Sequence, residues 1–115
     1  AEGRLLRMLG TETVEVAFKQ EVRTGRAVLR SSVSGELKDY EIQIQELRMN
    51  ESDVNKGMIF YVTDPDLLAL TGGVIQGMSG SPILQNGRLI GAVTHVFVND
   101  PAKGYGIFAE NMIEH

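Results

Sequence analysis

A chain of 115 residues, 43% hydrophobic and 23% charged, has the balance of one globular domain, and folding at this length buries roughly 65% of the extended surface. Its net charge of −4 argues against nucleic acid or an anionic membrane as partner. The absence of cysteine excludes disulfides and thiolate metal sites. No apolar run reaches the roughly 18 residues of a membrane-spanning helix, and no signal peptide is present.

Residues 1–12 carry Leu5 and Leu6 between Arg4 and Arg7, and read as a short helix or a loose lead-in. From Thr13 to Phe18 apolar and polar residues alternate, as in a half-buried strand. Glu21 to Gly25 is a turn, after which Ala27, Leu29, Ser31 and Val33 share one strand face. Ser34-Gly35-Glu36 turns the chain again. Asp39 to Leu47 repeats the period of two, with Tyr40, Ile42 and Ile44 on one side. These three segments read as a meander.

Asn50 to Lys56 is a polar loop, and Gly57 to Thr63 an apolar, aromatic-rich strand. A short helix follows through Leu70. Asp64 stands at its N-cap, Pro65 at the first helical position and Asp66 at the favourable end of the dipole, and Gly72-Gly73 stops it. Asn86-Gly87 between two apolar runs predicts a type I′ hairpin. Leu89 to Val98 is the longest predicted strand and Gly104 to Phe108 the last, and Ala109 to His115 opens a further helix. Seven or eight short strands with turn signals read as an all-β barrel.

The stretch that carries chemistry is Gly77-Met78-Ser79-Gly80-Ser81-Pro82. A serine hydroxyl is a weak nucleophile until a base takes its proton and backbone N–H groups receive the oxyanion. Gly77 would let its own N–H and that of Ser79 point into one oxyanion hole, where a β-carbon would hinder the turn. Two other motifs fail. The nucleophile elbow Gly-x-Ser-x-Gly needs a glycine where Ser81 stands, and a helix after it. The phosphate loop needs a lysine where Met78 stands.

This hexapeptide resembles the nucleophile loop of trypsin-like serine peptidases. With Gly72-Gly73 before it and Gly91-Ala92-Val93-Thr94-His95-Val96-Phe97-Val98-Asn99-Asp100-Pro101 after it, the string is similar to one family in particular. That family is the SpoIVB peptidases, the sporulation serine peptidases of endospore-forming bacteria. The similarity is strong over residues 57–112 and looser before. It implies a trypsin-like double β-barrel of which residues 1–115 supply the C-terminal half, with short helices near 64–71 and at the C-terminus. It further implies Ser79 as nucleophile and Asp64, fifteen residues earlier, as the acidic partner; helix capping accounts for Asp64 equally well. The strand Thr94-His95-Val96 would line the cleft and pair with the substrate backbone, so His95 is a cleft residue and not the base. By the spacing of trypsin-like enzymes Gly73 forms the floor of the specificity pocket, with Ala92, Val93 and Val96 along its wall, a lining that suits small or apolar side chains.

The general base is missing. Only His95 and His115 are present, His115 is terminal, and in the family the catalytic histidine lies upstream in the first half of the double barrel. Met78 replaces the aspartate that pairs with a new N-terminus in trypsin-like enzymes activated by trimming, so order in this loop must come from packing or from the missing half. The family is exported, into the space between mother cell and forespore, and the missing signal reads as truncation.

The expected function is therefore that of a serine endopeptidase fragment, inactive alone. Its expected partners are a protein or peptide substrate, the missing N-terminal half and a second copy on the exposed half-barrel face, with no nucleic acid, metal or cofactor. The reading of another class is a non-catalytic β-barrel module that captures extended peptides by strand addition.

Overall fold

The computed structural model describes residues 4–8, 12–32, 35–48, 52–53, 56–71, 78–97 and 100–109. Its strands are β1 (Arg4–Met8), β2 (Glu12–Val16), β3 (Gly25–Ser31), β4 (Lys38–Leu47), β5 (Met58–Val62), β6 (Pro82–Gln85), β7 (Arg88–Phe97) and β8 (Asp100–Phe108), with helix α1 (Pro65–Thr71) between β5 and β6. Strands β3-β4-β5-β8-β7-β6 pair in that cyclic order, every pair antiparallel, and the β3–β6 ladder closes the ring. The result is a closed six-stranded antiparallel barrel, the all-β architecture expected of half a double barrel. Closure pairs the barrel strands on both sides over most of their length and so removes most of the sheet edge that would otherwise invite other strands.

The two-residue period seen in the sequence becomes the inside and outside of this barrel. Ala27, Leu29, Tyr40, Ile42, Ile44, Met58, Phe60, Val62, Ile83 and Phe108 face inward as one buried cluster. Room for the large members comes from glycines on the opposing strands. A Cβ on Gly104 would stand 2.8 Å from Phe60 Cζ, and one on Gly106 would stand 3.0 Å from Met58 Cγ. At the β6–β7 turn Asn86 and Gly87 have φ of 54° and 79°, the pair of positive values that a type I′ hairpin requires.

Two expectations about the first fifty residues are corrected. The lead-in is not a helix: Arg4–Met8 is a strand hydrogen-bonded to β2 over the register Arg4↔Val16 to Met8↔Glu12. The first three predicted strands do not form a meander, because β2 pairs with β1 and, in parallel at Val16↔Leu89, with β7 rather than with β3. The cause is a single 3-10 turn at Lys19–Glu21, where the Phe18 N–H donates to Glu21 Oε1 at 2.8 Å and the Glu21 N–H to the Phe18 carbonyl at 2.8 Å. It redirects the chain before β3 begins. The last strand also starts earlier than expected, at Asp100 opposite Phe97. The predicted C-terminal helix lies outside the described residues beyond Ala109, which is fully buried. Among the described residues no helix is long and apolar enough to cross a membrane.

The ladders place the chemistry at one end of the barrel. Ser31 pairs with Lys38, Ile42 with Val62, Tyr61 with Lys103, Phe97 with Asp100 and Pro82 with Ala92. The end of β3, the start of β4, the end of β5 with α1, the start of β8, the end of β7 and the loop into β6 therefore form one rim. Asp64, Ser79, Thr94 and His95 all lie on or near that rim. So do Leu37 and Leu68, the large hydrophobic residues left exposed among those described, at 44% and 36%.

Candidate active site at the serine loop

Ser79 sits in a tight turn closed by the Ser81 N–H donating to the Met78 carbonyl at 3.0 Å. Gly80 takes φ of 91°, a value that side chains disfavour, and so sets the turn. Two further bonds fasten the turn to β7: the Gly80 N–H to the Val93 carbonyl at 2.7 Å, and the Val93 N–H to the Ser81 carbonyl at 3.0 Å. The Met78 side chain, 3% exposed, belongs to the core cluster. A buried thioether thus does the work that an ion pair would do, anchoring the residue before the serine by packing. Ser79 itself is exposed. Its hydroxyl reaches the Thr94 carbonyl at 3.4 Å, longer than an ordinary O–H···O bond, so it is weakly held and open to an approaching group.

Asp64 is committed on both carboxylate oxygens. Oδ1 accepts from the Asp66 N–H at 2.9 Å, the N-cap bond of α1, and Oδ2 accepts from the Glu41 N–H at 3.1 Å. The Asp64 N–H returns a bond to the Glu41 carbonyl at 3.0 Å. The side chain therefore caps the helix and ties it to the middle of β4, on the rim that carries Ser79.

The strand after the serine loop outruns its neighbour. The β6 ladder with β7 ends at Pro82↔Ala92, whereas β7 continues to Phe97 and stays paired with β8 on its other side. From Thr94 to Phe97 the edge next to Ser79 carries no strand among the described residues. A β-bulge between Val93 and His95 lies at this point, and Thr94 Oγ1 donates to the Tyr105 carbonyl at 3.3 Å. His95 is exposed, its ring set edge-on to Tyr105 with centroids 6.5 Å apart. Val96 pairs with Gly104 in the β7–β8 ladder.

Gly73 and Gly77, expected at the pocket floor and the oxyanion hole, lie outside the described residues, as does His115. The structure thus brings Ser79, Thr94 and the His95–Phe97 edge of β7 into one place, with Asp64 on the same rim. The sequence reading missed the aromatic surface behind His95. Tyr105 lies opposite His95, and Phe97 stacks on Tyr105 at 4.7 Å and 22° between planes. The signal was there in Gly104-Tyr105-Gly106-Ile107, where glycines alternate with large residues: small positions turn inward beneath Phe60 and Met58, large ones outward.

The family model described as SpoIVB peptidase S55 matches residues 2–113 of the chain. No curated protein matches the chain, and no solved structure does.

Proposed function

Because the chain belongs to the SpoIVB peptidase family, with nearly its whole length matched, we propose that it is the nucleophile-bearing half of a serine endopeptidase that cleaves extended protein segments through an acyl-enzyme on Ser79. The observation that carries this reading is the exposed Ser79 hydroxyl at the head of a β7 edge that, from His95 to Phe97, pairs with no strand on that side among the described residues. A substrate strand laid along Thr94–Phe97 would present a peptide carbonyl to Ser79, with backbone hydrogen bonds supplying affinity. In the reaction the base takes the Ser79 proton as the oxygen attacks the carbonyl carbon. The N–H groups of Gly77 and Ser79 hold the oxyanion, the protonated amine leaves, and water then releases the acid by the reverse order of steps.

The base is a histidine from outside these residues, in a half-domain that docks on the rim where Leu37 and Leu68 are exposed. Asp64 would orient that imidazole while still capping α1. We place the activity outside the cytoplasm, in signalling between mother cell and forespore. A specificity pocket floored by Gly73 would favour a small or apolar residue before the cut, since the strand beside it brings Ala92, Val93 and Val96 and no carboxylate. An arginine or lysine there would lose its hydration without gaining an ion pair, at a cost of roughly several kcal/mol.

A fluorophosphonate probe tests the assignment. The full-length protein should be labelled stoichiometrically on Ser79 and the Ser79→Ala variant not at all. The isolated chain should label at a rate lower by several orders of magnitude, because members of a triad act as a unit. Rapid labelling of the isolated chain would show that the base lies within it. A second reading, a non-catalytic module that captures peptides on the β7 edge, draws on the His95 ring, which is engaged with Tyr105. It predicts peptide binding by the full-length protein with no labelling of Ser79.

A further inference from the structure

The outer face of the barrel beside the His95–Phe97 edge of β7 gathers aromatic rings and ammonium groups on an acidic chain. Strands β5, β8 and β7 turn Tyr61, Lys103, Tyr105, His95 and Phe97 outward, since their neighbours Phe60, Gly104, Gly106 and Val93 face the core. Phe97 and Tyr105 stack, and His95 meets the edge of Tyr105. Two ammonium groups lie over this aromatic shelf: Lys56 Nζ at 5.4 Å from the Tyr105 centroid and Lys103 Nζ at 5.7 Å from that of Phe97. Both distances are within cation–π range. Four arginines on the barrel have carboxylate partners: Arg26 pairs with Glu41, Arg30 with Asp39, Arg48 with Glu46 and Arg88 with Glu21. Lys56 and Lys103 have only the rings among the described residues. On the next strand the nearest outward carboxylate, Glu46 opposite Ile59, is held by Arg48 at 2.8 Å and does not cancel them.

We propose that this shelf selects an acidic side chain on the acyl side of the scissile bond, so that the preferred substrate of the Ser79 site is an extended segment carrying glutamate a few residues before the cut. The inference rests on the peptidase reading for its direction. A strand antiparallel to β7 that reaches Ser79 at Thr94 has its residues before the bond lying along His95 to Phe97. Alternate side chains of that strand fall on the outer face. A glutamate there crosses the Phe97 ring toward Lys103, two strand spacings or about 10 Å from the added backbone. It finds an ammonium whose only partner among the described residues is an aromatic face. The aliphatic part of the same side chain covers the ring, so the contact is made by the stem as well as the carboxylate.

The test uses the full-length protein and matched peptides that differ only by glutamate, glutamine or lysine at each of the four positions before the cut. Glutamate at one or two positions should raise kcat/KM by roughly tenfold over glutamine and more over lysine. The gain should shrink with added salt. Lys103→Met with Lys56→Met, which keeps the apolar stems over the rings, should erase it, and Lys103→Glu should turn the preference toward lysine. Lys19→Met, whose ammonium lies over the Phe108 ring at 5.9 Å at the opposite end of β8, should leave it intact. Cleavage that depends on Ser79 yet ignores the glutamate-for-glutamine exchange would overturn the proposal while leaving the peptidase standing. A preference that survives the double methionine variant would do the same. If no peptide is cleaved, fluorescence anisotropy with the Ser79→Ala protein decides it. Tighter binding of the glutamate peptide, lost in the double variant, supports the shelf without the peptidase, and equal binding of all three peptides rejects it.

Discussion

Asp64 and Glu41 hold each other by their main chains as well as through the Asp64 carboxylate: the Asp64 N–H donates to the Glu41 carbonyl at 3.0 Å, and the Glu41 N–H donates back to Asp64 Oδ2 at 3.1 Å. With Oδ1 capping α1 through Asp66, one aspartate fixes the helix that leads into the serine loop onto the wall of the barrel. Asp64→Ala should therefore cost about 2 kcal/mol, since it removes an N-cap and leaves a partly buried strand N–H without its acceptor. Asp64→Asn keeps one acceptor oxygen and should cost about half as much. Urea denaturation of the three proteins measures this. An alanine variant as stable as the parent would mean that water replaces both bonds.

Met78 and Ser79 should respond oppositely to truncation although they are adjacent. Met78→Ala opens a hole in the core and should destabilise by about 2–5 kcal/mol, whereas the exposed Ser79→Ala should change stability by less than about 0.5 kcal/mol. Thermal melts of both variants check the contrast. A large loss for Ser79→Ala would indicate that its long contact with the Thr94 carbonyl matters to the fold.

The glycines of β7 and β8 separate two kinds of crowding. A methyl at Gly104 meets the far end of the Phe60 ring at 2.8 Å and, less closely, the His95 carbonyl at 3.1 Å, so the roughly 1–3 kcal/mol cost of Gly104→Ala should be recovered only in part by Phe60→Leu. A methyl at Gly91 collides with the Ile107 carbonyl, which is backbone, and no side-chain change should rescue Gly91→Ala. Soluble yield and denaturation midpoints of the two single variants and the Gly104→Ala, Phe60→Leu pair decide this. Rescue of Gly91→Ala by Met58→Ala would show that the β8 backbone yields.

The Tyr40 hydroxyl is buried in the barrel with no hydrogen-bond partner among the described residues. A buried hydroxyl without a partner forfeits its hydration for nothing, so Tyr40→Phe should raise stability by about 1 kcal/mol. A lower denaturation midpoint would reveal a bound water serving the hydroxyl.

Acid should loosen the attachment of the turn before β3. The Glu21 carboxylate accepts from the Phe18 N–H and then from the Arg88 guanidinium, and these hold its pKa below the ordinary 4.5. A depressed folded-state pKa means that the contribution is complete above the unfolded value and fades as pH falls through the folded one. Stability should thus decline from about pH 4.5 downward, and Glu21→Gln should flatten part of that decline. Identical pH profiles for both proteins would show that the carboxylate is indifferent to folding.

By itself the sequence settled whatever depends on neighbours along the chain. The two-residue alternation of Ala27 to Ser31 and of Tyr40 to Ile44 became core faces. Asn86-Gly87 became a hairpin, because only positive φ at both positions matches the twist of the flanking strands. Asp64-Pro65 became a capped helix start. The serine loop stood out in the sequence through its resemblance to a nucleophile loop, glycines flanking a serine with a strand and hairpin directly after it. The tertiary structure decided which strands meet. Alternation states that a segment is half-buried but names no partner, so β2 was free to join β1 and β7 once the turn at Lys19–Glu21 had redirected the chain. Closure of β3 onto β6 likewise rests on contacts far apart in sequence, such as Leu29 with Ile83. The shelf of His95, Phe97 and Tyr105 with Lys56 and Lys103 exists only after that closure. Its residues come from a loop and two strands, and their spacing along the chain carries no period that could have announced it.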